Sequence, residues 1–230
     1  MSTDRRYENF PEGFFDRQDP SSDRIFYATP RLVTHIDPGA ITAVGALYDE
    51  LGIHGDVLDL MSSWISHFST PPQRLVAHGM NAPELSQNVA AIGKVVSDLN
   101  ATPALPFADA SFDAVVCTVS VDYLSRPLDV FDDLARILRP GGRAVFNFSN
   151  RFFPTKAILG WLSADDSQRC ANELSASGVD LAVSTINFFG NHFAIYQGSD
   201  IPVLVVSPIT IADFTSEGVY SIGAGGGCLG

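Results

Sequence analysis

Positive charge is scarce in this chain. It carries 14 Lys and Arg against 26 Asp and Glu, a formal net charge of −12, which argues against the broad phosphate-contacting footprint of a nucleic-acid binder. No run of Lys or Arg offers a local substitute. Cysteine is nearly as rare. Cys117, Cys170 and Cys228 are far apart and odd in number, so neither a disulfide framework nor a metal-ligand pair is visible, and a reducing cytoplasm is the expected compartment. Long hydrophobic runs are missing too: Ile201–Ala212 is too short to span a bilayer and is broken by Pro208. The first residues, MSTDRRYENFPEGFF, lack the apolar stretch of a signal peptide. The expectation is a cytoplasmic chain with neither nucleic acid nor membrane as a partner. None of the expected strands is followed by G-x-G-x-x-G, which counts against a nicotinamide-dependent oxidoreductase.

What is present suits one folded domain. At 230 residues, with 46% hydrophobic and 17% charged residues, the chain has enough apolar side chain for a large core. Residues 1–25 are rich in Arg, Asp, Pro and Ser and read as an arm that lies over the core or is partly disordered. Residues 26–213 read as a single domain, and the Gly-rich residues 214–230 as a mobile tail.

Within the domain, strand and helix patterns alternate. From Phe26 to Leu51 the pattern is helical, with Asp37 and Pro38 as N-cap and first residue and Gly52 as the stop. Strands are expected at Val57–Leu60, Arg74–His78, Phe112–Cys117 and Arg143–Phe148, and helices at Ala82–Ala91, Pro127–Leu138 and Pro154–Leu162. The helix at Pro127–Leu138 is the clearest, with Leu128, Phe131, Leu134, Ala135 and Leu138 on one face and Asp129, Asp132, Asp133 and Arg136 on the other. Such alternation implies a parallel sheet with right-handed crossovers. Segments Ser184–Phe189, Phe193–Tyr196 and Val203–Val206, joined by Gly-Asn and Gly-Ser-Asp turns, suit an antiparallel edge.

The turn after the first strand is unusual. Val57-Leu58-Asp59-Leu60 reads as a buried strand with an acid inside it, a costly placement unless the carboxylate has partners. A nucleotide site ordinarily follows such a strand with glycines, which let backbone approach a ligand. Here the turn is Met61-Ser62-Ser63-Trp64-Ile65.

The run Leu105–Asn150, with Leu-Pro-Phe, the Ser-Phe-Asp opening of a strand, the helix and Leu138-Arg139-Pro140-Gly141-Gly142, resembles the central half of a class I S-adenosylmethionine-dependent methyltransferase of the type 11 group. With the Val57 strand included, the resemblance covers Asp56–Asn150. It is similar to a subgroup with a Met-Ser-Ser-Trp turn, a following Ser-His, and an N-terminal Phe-Tyr-x-x-Pro-Arg-x-Val-x-His-Ile-Asp element, here Phe26–Asp37. The resemblance implies a Rossmann-like α/β fold: a mostly parallel seven-stranded sheet with an antiparallel C-terminal edge and helices on both faces.

It also implies S-adenosyl-L-methionine as cofactor and assigns its contacts. Asp59 positions the methionyl end, or else only caps donors at the strand end. Met61, Ser62 and Ser63 lie beneath the cofactor, the serine hydroxyls and N–H groups donating to its carboxylate. Trp64 either packs as a spacer or stacks on the ligand. Asn81 stands where the family has a ribose-binding acid, with Glu84 available to assist, or serves as a turn residue. Asp98 and Leu99 receive the adenine, and Thr118 closes the cofactor list. Ser120, Tyr123, Asn150 and Arg151 face a substrate, although Asp122 and Tyr123 equally suit capping and packing of the next helix. His35 and His67, with Asp37, can converge above the cofactor as a general base; no metal site is expected, since their spacing is not diagnostic. The paired phenylalanines Phe14-Phe15, Phe152-Phe153 and Phe188-Phe189 suit either an apolar acceptor or the core.

The expected function is methyl transfer from S-adenosylmethionine to a small-molecule acceptor. The alternative is a catalytically inactive binding or scaffold protein of the same fold with a remodelled cofactor site.

Overall fold

The computed structural model describes residues 7–8, 10–149 and 151–163, and the backbone of Val183–Phe188, Asn191–Gln197, Pro202–Ile209 and Gly223–Ala224. Its first five strands are β1 (Asp56–Asp59), β2 (Arg74–Gly79), β3 (Gly93–Val96), β4 (Phe112–Thr118) and β5 (Leu138–Ser149). They pair in the order β3-β2-β1-β4-β5, every pair parallel. Parallel neighbours require crossovers: α3 (Ala82–Gln87) supplies the one between β2 and β3 and α4 (Pro127–Ile137) the one between β4 and β5, while irregular chain joins β1 to β2. A helix before β1, α2 (Pro38–Glu50), begins at Asp37, whose Oδ1 accepts from the Ala40 amide at 2.9 Å.

Side-chain alternation along the strands sorts the core into two layers. Val57, Leu75, Ala77, Ala114, Val116 and Val145 pack with Ala40, Val44, Leu47 and Tyr48 of α2 on one face. Leu58, Val76, Val115, Cys117 and Phe146 pack with Leu128, Phe131, Leu134 and Ile137 of α4 on the other. Trp161, in the short helix α5 (Leu159–Ser163), joins the second layer against Phe148. The sheet is therefore covered on both faces.

At the opposite edge from the site, Arg139 of the Leu-Arg-Pro-Gly-Gly element bridges Asp56 and Asp113, at 2.7 Å each, and Arg74 holds the other Asp56 oxygen at 2.6 Å. That motif ties β1, β2 and β4 together at their N-terminal ends. Among the described residues no helix is long and apolar enough to cross a membrane.

Five local outcomes differ from the sequence expectation, the first being strand β3 itself, which lies outside the expected strands. Between Phe26 and Asp37 the chain is irregular, and helix exists only from Pro38 and in the single turn α1 (Asp23–Phe26). Helix α3 stops at Gln87 rather than Ala91 because the Asn88 amide donates to Ser63 O and Ser66 Oγ, on the turn after β1. Strand β5 starts at Leu138, which pairs with Phe112. Residues 154–158 are turn and bridge, leaving α5 as the only helix in the expected Pro154–Leu162 span.

The N-terminal segment packs on the second layer through Tyr7, Phe10, Phe14 and Phe15. Gly160 leaves the space Phe14 occupies: a Cβ there would lie 2.3 Å from the ring. Lys156, fully buried, holds the segment down, donating to Ser21 O at 2.7 Å and pairing with Asp19 at 3.0 Å and Asp23 at 3.4 Å.

Candidate functional site

The chain runs outward from β1 to β2 and β3, then returns to β4 and β5, so the C-terminal ends of β1 and β4 flank a topological switch point, where open α/β sheets bind ligands. A cavity of ≈ 370 Å³ opens there, floored by Met61–Ser63, His78–Asn81, Ser97–Asn100 and Val119–Ser120. Tyr27, Arg31, Thr34 and His35 from the N-terminal segment and Arg151–Phe153 after β5 form its roof.

The turn after β1 is held by backbone contact. Met61 has φ +53°, Ser62 N donates to His78 O at 2.6 Å, and Met61 N donates to His78 Nδ1 at 3.3 Å. A Cβ on Gly79 would lie 2.3 Å from Ser62 O. The close approach that glycines in the turn ordinarily permit is thus provided from the facing strand, by Gly79. His78 is buried, and desolvation lowers its pKa to about 4. With Nδ1 accepting, the neutral ring carries its proton on Nε2, 2.7 Å from Ser97 Oγ. Val119, at the end of β4, also has positive φ (+51°). Of the three left-handed non-glycine residues, Met61 and Val119 line the cavity, as strained backbone at functional sites often does, while Ala110 (φ +50°) lies outside it.

Asp59 does not line the cavity. Its Oδ2 accepts from Ser62 Oγ at 2.7 Å and Ser66 Oγ at 2.5 Å, and burial raises its pKa to about 6, the two hydroxyls opposing the rise. Ser63 Oγ donates to Glu84 Oε2 at 2.6 Å. The hydroxyls expected to meet a ligand carboxylate are therefore spent inside the protein, although Ser62 and Ser63 line the cavity. Trp64 neither enters the core nor reaches the cavity; it is half-buried and donates from Nε1 to Val33 O at 3.0 Å.

At the end of β2, Asn81 is the N-cap of α3. Its Oδ1 accepts from Glu84 N and its Nδ2 donates to Tyr27 O at 2.8 Å, which fastens the roof. Both ends of the amide are engaged, and the carboxylate nearest to it on the cavity wall is Glu84. It lines the cavity, and its carboxylate, with about four lone-pair sites, accepts from Arg31 N and Ser63 Oγ.

At the end of β3, Asp98 Oδ1 caps the amides of Asn100 and Ala101 at 3.0 and 3.2 Å. Among the described residues its Oδ2 and the Leu99 amide carry no hydrogen bond, and both residues line the cavity. Asn100 ties this corner together, donating to Asp23 Oδ2 and Tyr123 O at 2.8 Å each.

Ser120 lines the cavity with its hydroxyl directed at Met61 O (3.1 Å) and Thr118 O (3.2 Å). Tyr123 lines it too; its oxygen accepts from Phe153 N at 2.9 Å, and desolvation, reinforced by Asp122, raises its pKa. Arg151 stands exposed at the rim, and Asn150 lies outside the described residues. Thr118 faces the other layer, its hydroxyl 2.7 Å from Tyr48 OH, and does not line the cavity.

The two histidines part. His35 sits at the mouth, its ring centroid 5.6 Å from that of Phe153 and the two rings nearly perpendicular; partial desolvation lowers its pKa, with Glu84 opposing and Arg31 adding to the fall. A neutral imidazole there can accept a proton. His67 lies outside the lining, its pKa lowered to about 4 by desolvation and by His35. Asp37 also stays outside, occupied as the cap of α2. No group of three or more His, Cys, Asp or Glu suited to a metal ion occurs among the described residues.

Sequence reasoning passed over Gly79, Arg31 and Asn100. The Phe26–Asp37 element was the one signal for Arg31, while Gly79 carries no motif and is explained only by the turn across from it.

A doubly covered parallel sheet with this order and a cavity at its switch point is the Rossmann-like α/β fold of the methyltransferases. A family model described as a methyltransferase domain matches residues 73–146, about a third of the chain. The malonyl-[acyl-carrier protein] O-methyltransferase of Marinomonas sp. (strain MWYL1) is 23% identical over 92 residues, 39% of this chain and 34% of that protein. The chain thus spans about a third of the length of the curated relative it matches. Among solved structures, an S-adenosylmethionine-dependent methyltransferase from Aquifex aeolicus is 14% identical with a TM-score of 0.45, covering 65% of this chain and 92% of its own. One from Mesorhizobium loti is 19% identical with a TM-score of 0.36, covering 42% and 48%.

Proposed function

We propose that the chain is an S-adenosylmethionine-dependent methyltransferase acting on a small-molecule acceptor, with the switch-point cavity as its site. The carrying observation is the pair of unengaged groups after β3. Asp98 Oδ2 is an acceptor and the Leu99 amide a donor, side by side in the cavity wall. Adenine presents the complementary pair, an exocyclic amine donor and a ring-nitrogen acceptor. Glu84 is the carboxylate positioned for the ribose hydroxyls, in place of Asn81. The cofactor, when bound, supplies a methyl group already activated on sulfur, whose transfer needs in-line positioning of the acceptor. Ser120, Tyr123 and Arg151 form the acceptor side, and His35 is the group able to take a proton from it.

The same reading keeps residues 26–213 as one cytoplasmic domain that does not bind nucleic acid, in keeping with the charge of −12. It includes an antiparallel C-terminal edge, supported by the antiparallel backbone register of Val183–Phe188 with Asn191–Gln197, although the described backbone forms a nine-stranded sheet rather than the seven strands expected.

One observation favours the alternative of a binding protein with a remodelled site: Asp59, Ser62, Ser63 and Asn81 all turn their side chains to internal bonds. Thermal melting separates the two. A ligand at a hundred times its Kd adds about 2.7 kcal/mol to native stability, or roughly 5–11 °C for a chain of this size. S-Adenosylmethionine and S-adenosylhomocysteine are expected to raise the melting temperature of the wild type, and Asp98→Ala to abolish the rise without unfolding the protein. A wild type that does not respond to millimolar ligand would establish the alternative.

A further inference from the structure

Among the described residues Arg31 is a cation without an anion. Its guanidinium carbon lies 4.6 Å from the Phe26 ring centroid, 5.8 Å from that of Tyr27 and 5.7 Å from that of Phe153. Nη2 donates to Phe26 O at 2.9 Å. Nη1 is buried and donates to nothing, and among the described residues no carboxylate lies within ion-pair distance of the group. Of the acids that share the cavity wall, Asp98 makes no ion pair with Arg31, and the other two are committed elsewhere. Asp23 takes Arg17 and Lys156, and Glu84 takes the Arg31 backbone amide and Ser63.

A buried guanidinium N–H left unpaired is costly, and the planar donor fork fits a carboxylate better than any other common anion except phosphate. The aromatic cage holds the fork in place through cation–π contact without using up its N–H groups. Its location names the ligand's other half. Phe153 follows β5 and touches Arg31, His35 (5.6 Å between ring centroids) and Tyr123 (6.0 Å). An apolar or aromatic body packed on Phe153 and Tyr123 would present a carboxylate to the Arg31 guanidinium where it lines the cavity, and a small rotation of the group would turn Nη1 to it.

We propose that Arg31 is a carboxylate-binding residue of the cavity, and that the acceptor is a carboxylate joined to an apolar body. The word acceptor rests on the methyltransferase reading; the carboxylate site does not. A carboxylate is carried also by the methionyl end of the cofactor, so the experiment distinguishes the two sources.

Four probes are titrated into the full chain by calorimetry or ligand-observed NMR: benzoate, its neutral counterpart benzamide, S-adenosylhomocysteine, and 5′-methylthioadenosine, which lacks the carboxylate. The wild type should prefer benzoate over benzamide by about 10- to 100-fold, the range of a charge-assisted hydrogen bond. Arg31→Gln should abolish that preference, Arg31→Lys should retain part of it, and neither should alter the affinity ratio of the two nucleosides. Loss of that ratio in Arg31→Gln, with benzoate unaffected, overturns the acceptor assignment and gives the site to the cofactor. Equal binding of benzoate and benzamide by the wild type, with no effect of Arg31→Gln on any probe, overturns the carboxylate site itself. Failure of both nucleosides while the benzoate preference persists refutes the methyltransferase reading and leaves the carboxylate site standing.

Discussion

Gly79→Ala probes the substitution of one glycine for the missing several. The added Cβ would lie 2.3 Å from Ser62 O and 3.3 Å from Leu85 Cδ2. The oxygen is backbone, so no rotamer change removes the clash. The turn must retreat by about 1 Å to reach ordinary van der Waals distance, and doing so stretches the Ser62 N–His78 O bond, now 2.6 Å. Overpacking of this kind costs about 1–3 kcal/mol, and the weakened buried hydrogen bond adds about 1 kcal/mol. The sum, about 2–4 kcal/mol, corresponds to a fall of roughly 4–16 °C in melting temperature. S-Adenosylhomocysteine affinity, read by calorimetry on the same protein, should fall with it, because Met61–Ser63 floor the cavity. Gly52→Ala is the control: its φ is +63° but nothing lies within 4 Å of the new Cβ, so backbone strain of about 1–2 kcal/mol is its whole cost. It should leave the ligand affinity alone. If Gly79→Ala melts within a degree of the wild type and binds as tightly, the argument that this glycine makes the turn possible is wrong.

Two further outcomes follow from buried charge. Burial raises the Asp59 pKa from 3.8 to about 6, so between those values the native state holds a proton that the unfolded chain releases, and stability falls as pH rises through that window. Asp59→Asn removes this loss; its stability relative to wild type, from urea unfolding, should grow by about 3 kcal/mol between pH 4 and pH 7, and a pH-independent difference would refute the assignment. Lys156→Met removes a fully buried ammonium and strands the carbonyls and carboxylates around it. The expected cost is about 3–5 kcal/mol, accompanied by faster proteolytic cleavage near Asp19–Arg24; unchanged cleavage would show that Lys156 does not anchor the segment.

Much of the fold was legible locally. The strands at Val57, Arg74 and Phe112 and the helix at Pro127 follow from apolar period and from Pro and Gly at their ends, properties of neighbouring residues. Where the reading failed, a distant group had intervened. Helix α3 is cut short by bonds from Asn88 to Ser63 and Ser66, and β5 begins early because Leu138 finds Phe112. Strand β3, GKVV, is only four residues and alternates between half-buried and exposed, too weak a pattern to stand out.

The site was legible in outline and not in its assignments. Asp98 and Leu99 could be placed because the β3 corner is local, and their free acceptor and donor lie within two adjacent residues. Asp59, Asn81, Thr118 and the turn serines have the residue types of a ligand site. Whether a polar atom faces a ligand or a protein partner, however, depends on what the fold brings beside it.

The order of strands and helices, and with it the class of fold, was written in the chain, because periodicity and capping act over a few residues. Three features took the tertiary structure to decide: that Gly79 makes room for the turn across from it, that Glu84 brings a carboxylate to the cavity wall beside Asn81, and that Arg31 keeps an N–H with no partner among the described residues. Each joins groups far apart in sequence, Arg31 and Glu84 by 53 positions, and a hydrogen bond or a steric clash exists only once the fold has made them neighbours.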